Sequence, residues 1–134
     1  MAKKQMTRKE LNLLVERAIE DCKVKAQEYI ENWRPANLQW KTIEGAAYLR
    51  LSTDEQVAVE KGSLEQQIYI AISESESRSK SERANYRITK FYIEPGITGR
   101  HDRRPEFTDL QLNIVRRKHR FVIFKEIARV ARDS

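Results

Sequence analysis

The sequence has little cysteine, glycine, proline and histidine, with one, four, three and two residues of each, and no long hydrophobic run. Because Cys22 is alone, an internal disulfide and a cysteine-based zinc site are excluded, and we expect Cys22 to lie buried on a helix. No apolar segment approaches the roughly 18 residues that cross a bilayer, and residues 1–4 lead into polar sequence without a signal-peptide core. The sequence therefore predicts a cytoplasmic protein without a membrane segment.

The composition is that of one folded domain, or of a small domain with an appendage. Hydrophobic residues make up 40% and charged residues 34% of the 134 residues, without repeats or low-complexity tracts. The net charge of +6 is uneven, since residues 1–44 carry nine basic against seven acidic residues and residues 100–134 carry ten against five. The basic cluster of the last quarter contains Arg104, Arg116, Arg117, Lys118, Arg120, Lys125, Arg129 and Arg132. Such a cluster indicates a polyanionic partner or, equally often, a solvated helix face.

The amino-terminal segment predicts one long helix. Thr7 and Glu10 have the spacing of a capping box, and apolar residues then recur at intervals of three and four up to Trp33, before the Arg34-Pro35 stop. The apolar face of this helix has three possible partners, namely its own domain, a second copy of the chain, or another protein. We prefer its own domain, because most apolar helix faces are core.

Strand and helix patterns alternate through the rest of the chain. A connector, Pro35–Glu44, leads to Gly45 and a first strand over 46–51. The pattern then predicts a helix from Ser63 to about Ala84 with a polar carboxyl half, a strand over 86–94, a helix from Pro105 to about Lys118 and a strand over 121–124. This alternation predicts an α/β fold with a mainly parallel sheet, right-handed crossovers and helices on both faces. The third strand is apolar on both faces, as a central strand is.

Arginines surround a serine at the predicted carboxyl edge of this sheet. Ser52 follows Arg50 directly after the first strand, and the parallel arrangement brings the segment after the third strand, with Arg129 and Arg132, to the same edge. Arg104, with Arg100 and Arg103, follows the second strand and can reach this edge as well. His101 and His119 have no triad partner, so peptide hydrolysis is disfavoured, whereas an arginine cluster suits phosphate. The alternative, that Ser52 is a helix N-cap among surface arginines, is about equally common for spacing of this kind.

Taken together, these segments resemble the serine recombinase family. The resemblance rests on four blocks in the same order: Tyr48–Gln56, Ser63–Gln67, Glu94–Gly99 with Arg104–Phe107, and Ala128–Asp133. It covers about residues 45–134 and is closest in style to the large serine integrases and transposon recombinases. It implies a three-layer, resolvase-like domain with a mainly parallel sheet, truncated at its carboxyl end and preceded by an amino-terminal α-helical extension, residues 1–44.

The resemblance also implies a reaction and the residues that perform it. Ser52 is the nucleophile that attacks double-stranded DNA and forms a 5′-phosphoserine link, and no metal, nucleotide or other cofactor takes part. The residues that bind the scissile phosphate are Arg50, Arg104, Arg129 and Arg132, while Gln67, Tyr48 and Gln56 support the site. The working unit is a homodimer that assembles into a tetramer, in DNA recombination or integration on a bacterial, phage or other mobile element.

Two departures from the family pattern leave a second hypothesis open. Ala128 stands where many members have an aspartate, and the family continues past this point with a dimer helix and a DNA-binding region. The chain alone is therefore expected to be an incomplete recombinase. The alternative is a catalytically inactive or truncated recombinase-derived module that binds DNA or forms oligomers. A phosphate-binding module for a small ligand is less favoured, because the sequence has no Walker-type or glycine-rich dinucleotide loop.

Overall fold

The structure is a computed structural model that describes residues 7–50, 61–94 and 104–126. Its elements are α1 (Arg8–Asn32), β1 (Thr42–Arg50), α2 (Lys61–Glu82), β2 (Asn85–Glu94), α3 (Pro105–Val115) and β3 (Val122–Glu126). The three strands form one parallel sheet in the order β2-β1-β3. The predicted α/β class and the amino-terminal helix are thus confirmed. Among the described residues, no helix is long and apolar enough to cross a membrane.

Helices cover the sheet on both faces, which confirms the three-layer architecture. On one face, α1 and α2 pack on the strands through a cluster that includes Ile19, Cys22, Ile72, Leu49 and Ile93. On the other face, α3 packs through Leu110 against Ala46, Tyr48 and Tyr92. Because both faces of β1 are covered, its residues 46–49 are all buried and its run is apolar rather than alternating.

Helix α1 begins with the predicted capping box and packs on its own domain. The Glu10 amide donates to Thr7 Oγ1 at 3.1 Å, and the Thr7 amide donates to Glu10 Oε1 at 2.9 Å. The preferred partner for its apolar face is confirmed, since Cys22 and its neighbours belong to the same cluster as the strands. Burial raises the pKa of the Cys22 thiol to about 12, so it is a buried apolar side chain as expected. The proposed domain boundary at residue 44 stays a prediction.

Strand β1 begins earlier than the apolar pattern indicates. The predicted connector up to Glu44 was too long, because Thr42, Ile43 and Glu44 already pair with residues 85–87 of β2. These three residues lie at the exposed start of the strand and carry no apolar run. Hydrogen bonding to a neighbouring strand, rather than burial, determines where β1 starts.

The polar half of α2 is helical up to Glu82, although its composition also allowed a loop. Two of its serines face the sheet and are almost fully buried, with Ser75 1% and Ser79 4% exposed. Ser75 Oγ donates to the Ile72 carbonyl at 2.7 Å, and Ser79 Oγ donates to the Ser75 carbonyl at 2.8 Å. Ser79 Oγ also accepts from the Tyr86 amide at 2.9 Å, so this serine joins the helix to β2, while Ser75 bonds within its own helix.

Strand β3 differs from its prediction in place and in length. It lies at an edge of the described sheet, paired with β1, and it extends over Val122–Glu126. Phe124 is 56% exposed. The prediction from its apolar run, that this strand is central, is therefore wrong for the described sheet. The preceding helix ends at Val115 and not near Lys118, because Arg117 takes a left-handed backbone conformation with φ of 61°.

A partly buried polar cluster joins α3, β2 and the turn before β3. Asn113 Nδ2 donates to the Tyr92 hydroxyl at 2.8 Å, and that oxygen lies 2.8 Å from His119 Nε2. Since the Tyr92 oxygen accepts from Asn113, its own proton is available for His119 Nε2, which favours a neutral imidazole. Burial, then the charges of Lys90 and Lys118, lowers the pKa of His119, and Asp109 opposes this.

This arrangement predicts a pH-dependent stability. The unfolded chain has His119 at its ordinary pKa near 6.5, so below that pH the unfolded state binds more protons than the folded state. The stabilisation by neutral His119 is present above about pH 6.5 and is lost as the pH falls towards the lower folded-state pKa. We expect the decrease in Tm between about pH 7.5 and pH 5 to be smaller in His119→Gln, which can still accept from Tyr92. Equal decreases in both proteins would contradict the prediction.

Candidate active site at the carboxyl edge of the sheet

The three strands end side by side. Arg50, the last residue of β1, is opposite Glu94 of β2 on one side and Glu126 of β3 on the other. Because the strands are parallel, their carboxyl ends lie at this one edge. The edge therefore collects residues that are far apart in the sequence.

Glu94 is the buried centre of this edge. It is 1% exposed, and its Oε1 accepts hydrogen bonds from the Tyr48 hydroxyl and the Phe107 amide, each at 3.0 Å. Its Oε2 accepts from the Glu106 amide at 3.3 Å. Residues 106 and 107 belong to the first turn of α3, so the carboxylate satisfies two amides that a helix leaves without internal partners. Glu94 thereby fixes the start of α3 above the ends of the strands.

Arg104 occupies the N-cap position of α3. An arginine side chain has no acceptor, and Arg104 makes no side-chain capping bond, so the capping role passes to Glu94 on the neighbouring strand. Pro105 follows at the first helical position, where its missing amide hydrogen costs nothing. The Arg104 side chain is exposed at the edge and is available for an anionic ligand.

The pKa of the Tyr48 hydroxyl is affected by two of the predicted phosphate-binding residues, Arg50 and Arg104. Burial raises the pKa of Tyr48 above its usual value, and so do the hydrogen bond to Glu94 and the negative charge of that carboxylate. The charges of Arg104 and Arg50 act in the opposite direction on the same hydroxyl. Both arginines therefore act on one hydroxyl, although they belong to different segments of the chain.

The remaining predicted residues divide into two groups. Gln67 lies half-buried in the second turn of α2, and Tyr48 lies buried beneath the edge. The following residues lie outside the described ranges: Ser52, Gln56, Arg100, Arg103, Ala128, Arg129 and Arg132. The structure thus brings Arg50 and Arg104 together with Tyr48, and the other assignments stay predictions.

Sequence reasoning missed the role of Glu94, which belongs to one of the four blocks but had no function assigned to it. Two features of the sequence indicate the role. An acidic residue ends an otherwise apolar strand, and the helix that follows has an arginine where serine, threonine or aspartate usually caps. A helix without its own cap needs an acceptor from elsewhere in the fold.

Comparison with protein-family models gives a match to the resolvase N-terminal domain over residues 45–134. The chain belongs to this family. The matched domain is the catalytic domain of the serine recombinases, so the family's activity is DNA recombination of the serine type. Comparisons with curated proteins and with solved structures gave no match.

The resolvase domain of this chain presents positive charge at the edge where its strands end. Arg50, Arg104 and the amino-terminal end of α3, whose backbone carries partial positive charge, lie at this edge, and two amides of that helix end donate to the buried Glu94 carboxylate. Guanidinium groups bind phosphate oxygens with two parallel hydrogen bonds. Within the described ranges, no group of three or more histidine, cysteine, aspartate or glutamate residues could hold a metal ion. The chemistry that this edge supports is phosphate binding.

Proposed function

We propose that this chain cleaves and rejoins strands of double-stranded DNA through a covalent link between Ser52 and a 5′-phosphate. The observation that carries the proposal is that Arg50, the last residue of β1, and Arg104, the N-cap residue of α3, lie at one edge, where Glu94 accepts from the first amides of α3. Ser52 is two residues after Arg50 in the sequence, and we propose that it acts at the same edge as Arg50. Membership of the resolvase N-terminal domain family supports the reaction type.

The proposed reaction exchanges one phosphodiester for another. Ser52 Oγ attacks the phosphorus atom, loses its proton and forms a new P–O bond, while the bond from phosphorus to the 3′ oxygen breaks and that oxygen takes a proton. Because a phosphodiester replaces a phosphodiester, the step is nearly isoenergetic, and reversal with a different 3′-hydroxyl rejoins the strands. Arginines stabilise the charge that develops on the phosphoryl oxygens during each transfer.

Each residue has a separate part in this proposal. Ser52 is the nucleophile, Arg50 and Arg104 contact the phosphate from β1 and from the start of α3, and Arg129 and Arg132 complete the phosphate site. Gln67 and Tyr48 position these groups. The reaction uses no metal ion or nucleotide, so excess EDTA should leave it unchanged. The partner is duplex DNA, and the assembly that exchanges strands is a homodimer that forms a tetramer.

Covalent trapping tests the proposal. The chain is incubated with a nicked duplex from its own genetic element, so that the cleaved end diffuses away, and the products are separated under denaturing conditions. We expect a protein–DNA adduct at a 5′ end, with mass spectrometry of the digested adduct locating the link at Ser52. A salt-sensitive DNA complex that never yields an adduct would instead support the alternative, a DNA-binding or oligomerisation module without catalytic activity.

Replacement of Arg104 by alanine should reduce cleavage without weakening the fold. Its side chain is exposed and makes no capping bond, so we expect a change in stability within about 0.5 kcal/mol. The adduct should form about 10²–10³-fold more slowly, as when one group that stabilises a transition state is removed. The measurement is the single-turnover rate of adduct formation together with Tm.

Two further variants make this prediction specific. Arg104→Lys keeps the charge but loses the bidentate geometry, and should fall between wild type and alanine. Arg17→Ala, which removes an exposed arginine from α1, should react at the wild-type rate. An Arg104→Ala protein with an unchanged rate would show that this arginine takes no part in the reaction.

A further inference from the structure

Two helices end with an arginine in an unusual backbone conformation. Arg83, directly after α2, has φ of 57°, and Arg117, after α3, has φ of 61°. Within the described ranges these are the only residues other than glycine with positive φ. The left-handed conformation is unfavourable for a side chain with a Cβ atom, and glycine is the usual residue at this position of a helix end.

The hydrogen bonds explain why this conformation is required at both ends. After α3, the Lys118 amide donates to the Asn113 carbonyl and the Arg117 amide to the Ile114 carbonyl, each at 2.9 Å, which together form a Schellman motif. After α2, the Ala84 amide donates to the Ser79 carbonyl at 3.3 Å around Arg83. The fold needs a left-handed residue at each place, but it does not need an arginine. Arginine therefore occupies two positions where glycine would strain the backbone less.

Both arginines lie at the amino edge of the sheet, opposite the candidate active site. Arg83 precedes β2 and Arg117 lies in the turn before β3, and these turns meet where the rings of Tyr86 and Phe121 pack with centroids 5.2 Å apart. The Arg120 amide donates to the Glu44 carbonyl at 2.8 Å, which holds the second turn against β1. The basic cluster of the last quarter is therefore divided between the two edges, since Arg104 lies at the carboxyl edge.

The amino edge has an excess of unpaired positive charge. Its cations, which we name the amino-edge patch, are Arg83, Arg116, Arg117, Lys118 and Arg120. All five are exposed, and none forms an ion pair with a described residue. The neighbouring acids already have cationic partners, because Glu82 pairs with Arg78 and Glu44 with Arg87. No described group of this edge neutralises the patch.

We propose that the amino-edge patch binds the phosphate backbone of a DNA duplex other than the segment at the active site. The nine residues of β1 separate the two edges by about 30 Å, so a duplex that lies across the carboxyl edge does not contact the amino edge at the opposite end of the strands. DNA is chosen over an acidic protein because the resolvase family acts on DNA, which is therefore the polyanion that this chain meets. The site is independent of Ser52 and of the proposed cleavage reaction.

The double variant Arg83→Gly/Arg117→Gly tests this site, because it removes two charges while relieving the backbone. Fluorescence anisotropy with a labelled duplex without a recombination site, measured over a range of salt concentrations, reports phosphate contacts. We expect affinity at low salt to fall about tenfold or more. The slope of log K against log salt should decrease in magnitude by about two, roughly one for each lost phosphate contact. The Tm should stay the same or rise, since glycine suits both positions.

A control variant removes the same charge elsewhere. Arg8→Gln/Arg17→Gln, on the exposed face of α1, should keep the wild-type salt slope. An unchanged slope in the glycine variant together with a lower Tm would show that the arginines serve only the helix ends, and would overturn the proposal. The proposal would also be overturned if the glycine variant lost binding to a labelled decaglutamate probe while its duplex binding stayed unchanged.

The adduct at Ser52 separates this proposal from the proposed function. The glycine variant should still form the adduct when the duplex is saturating, because its substitutions lie at the other edge. A wild-type chain that forms no adduct but shows the patch-dependent slope would refute the cleavage reaction and keep the amino-edge site. If the adduct forms but non-covalent binding does not depend on the patch, the cleavage reaction is supported and the amino-edge site is refuted.

Discussion

Ser52→Ala is expected to abolish the covalent protein–DNA adduct while leaving the fold and non-covalent DNA binding intact. Alanine has no oxygen to attack phosphorus. The Tyr48 hydroxyl at this edge does not replace it, because Tyr48 is buried, donates to Glu94 and has a raised pKa. The adduct should decrease by at least about 10³-fold, as is typical when a catalytic nucleophile is removed. The arginines remain, so the salt-dependent affinity for duplex DNA should change little.

Thr53→Ala is the matched control for this experiment. It removes the neighbouring hydroxyl from the same segment, and it should leave adduct formation within a few-fold of wild type. The two variants are compared by denaturing electrophoresis, by anisotropy with the uncleaved duplex and by thermal unfolding. An adduct that persists in Ser52→Ala, or disappears in Thr53→Ala alone, would contradict the assignment of the nucleophile.

Glu94→Ala is expected to cause the largest loss of stability. The Glu94 carboxylate accepts from the Tyr48 hydroxyl and from two amides of α3, and alanine leaves all three buried or partly buried donors without their partner. Each unsatisfied donor costs about 1–3 kcal/mol, and water entering the space offsets part of that. We expect the free energy of unfolding to decrease by about 3–5 kcal/mol. For a domain of this size each kcal/mol lowers Tm by about 4 °C, so the decrease in Tm is about 10–20 °C.

Two other variants separate the Glu94 carboxylate from nearby charge. Glu94→Gln keeps one acceptor oxygen but turns an amide group towards a donor, and should cost about 1–2 kcal/mol. Asp109→Ala removes an exposed acid of α3 whose ion pair with Lys90 spans 3.8 Å, and should cost less than about 1 kcal/mol. Chemical denaturation of the four proteins measures these differences. Equal losses in Glu94→Ala and Asp109→Ala would show that the buried network contributes nothing specific.

Glu94 also connects stability with the candidate active site. Its carboxylate caps α3 and thereby places Arg104, which cannot cap the helix itself, at the same edge as Arg50. A mild variant such as Glu94→Gln should therefore slow adduct formation more than its loss of stability explains at temperatures where it is fully folded. Because Glu94 is 1% exposed, we expect it to act by positioning and not by contact with DNA.

The fold could be predicted from the sequence wherever the deciding interactions join residues that are close together in the chain. The capping box at Thr7, the proline at the start of α3 and the alternation of strands with helices each depend on a few neighbouring residues, and each is confirmed. Predictions failed where a distant partner decides the outcome. The start of β1 depends on pairing with β2, and the edge position of β3 depends on the order of the strands.

In the candidate site, too, some residues could be predicted from the sequence and others could not. Arg50 and Arg104 were predicted from the sequence, and the structure places both near Tyr48. The roles of Ser52, Arg129, Arg132 and Gln67 remain predictions that rest on the sequence pattern and on the family. Glu94 was missed because its partners, the Tyr48 hydroxyl and two amides of α3, belong to other segments, although the acidic strand end and the arginine N-cap indicate its role.

The sequence by itself determined the family and the α/β alternation, because these depend on residue type and spacing, and the arginines that accompany Ser52 stay its prediction. Only the tertiary structure decided which charges lie together. It divided one basic cluster in the sequence between two opposite edges of the sheet, with Arg104 at one and Arg117 at the other. The physical reason is that a parallel sheet sends every strand in one direction. The connection before a helix and the connection after it therefore lie at opposite ends of the strands. Residues on the two sides of one helix are close in the sequence but far apart in the structure.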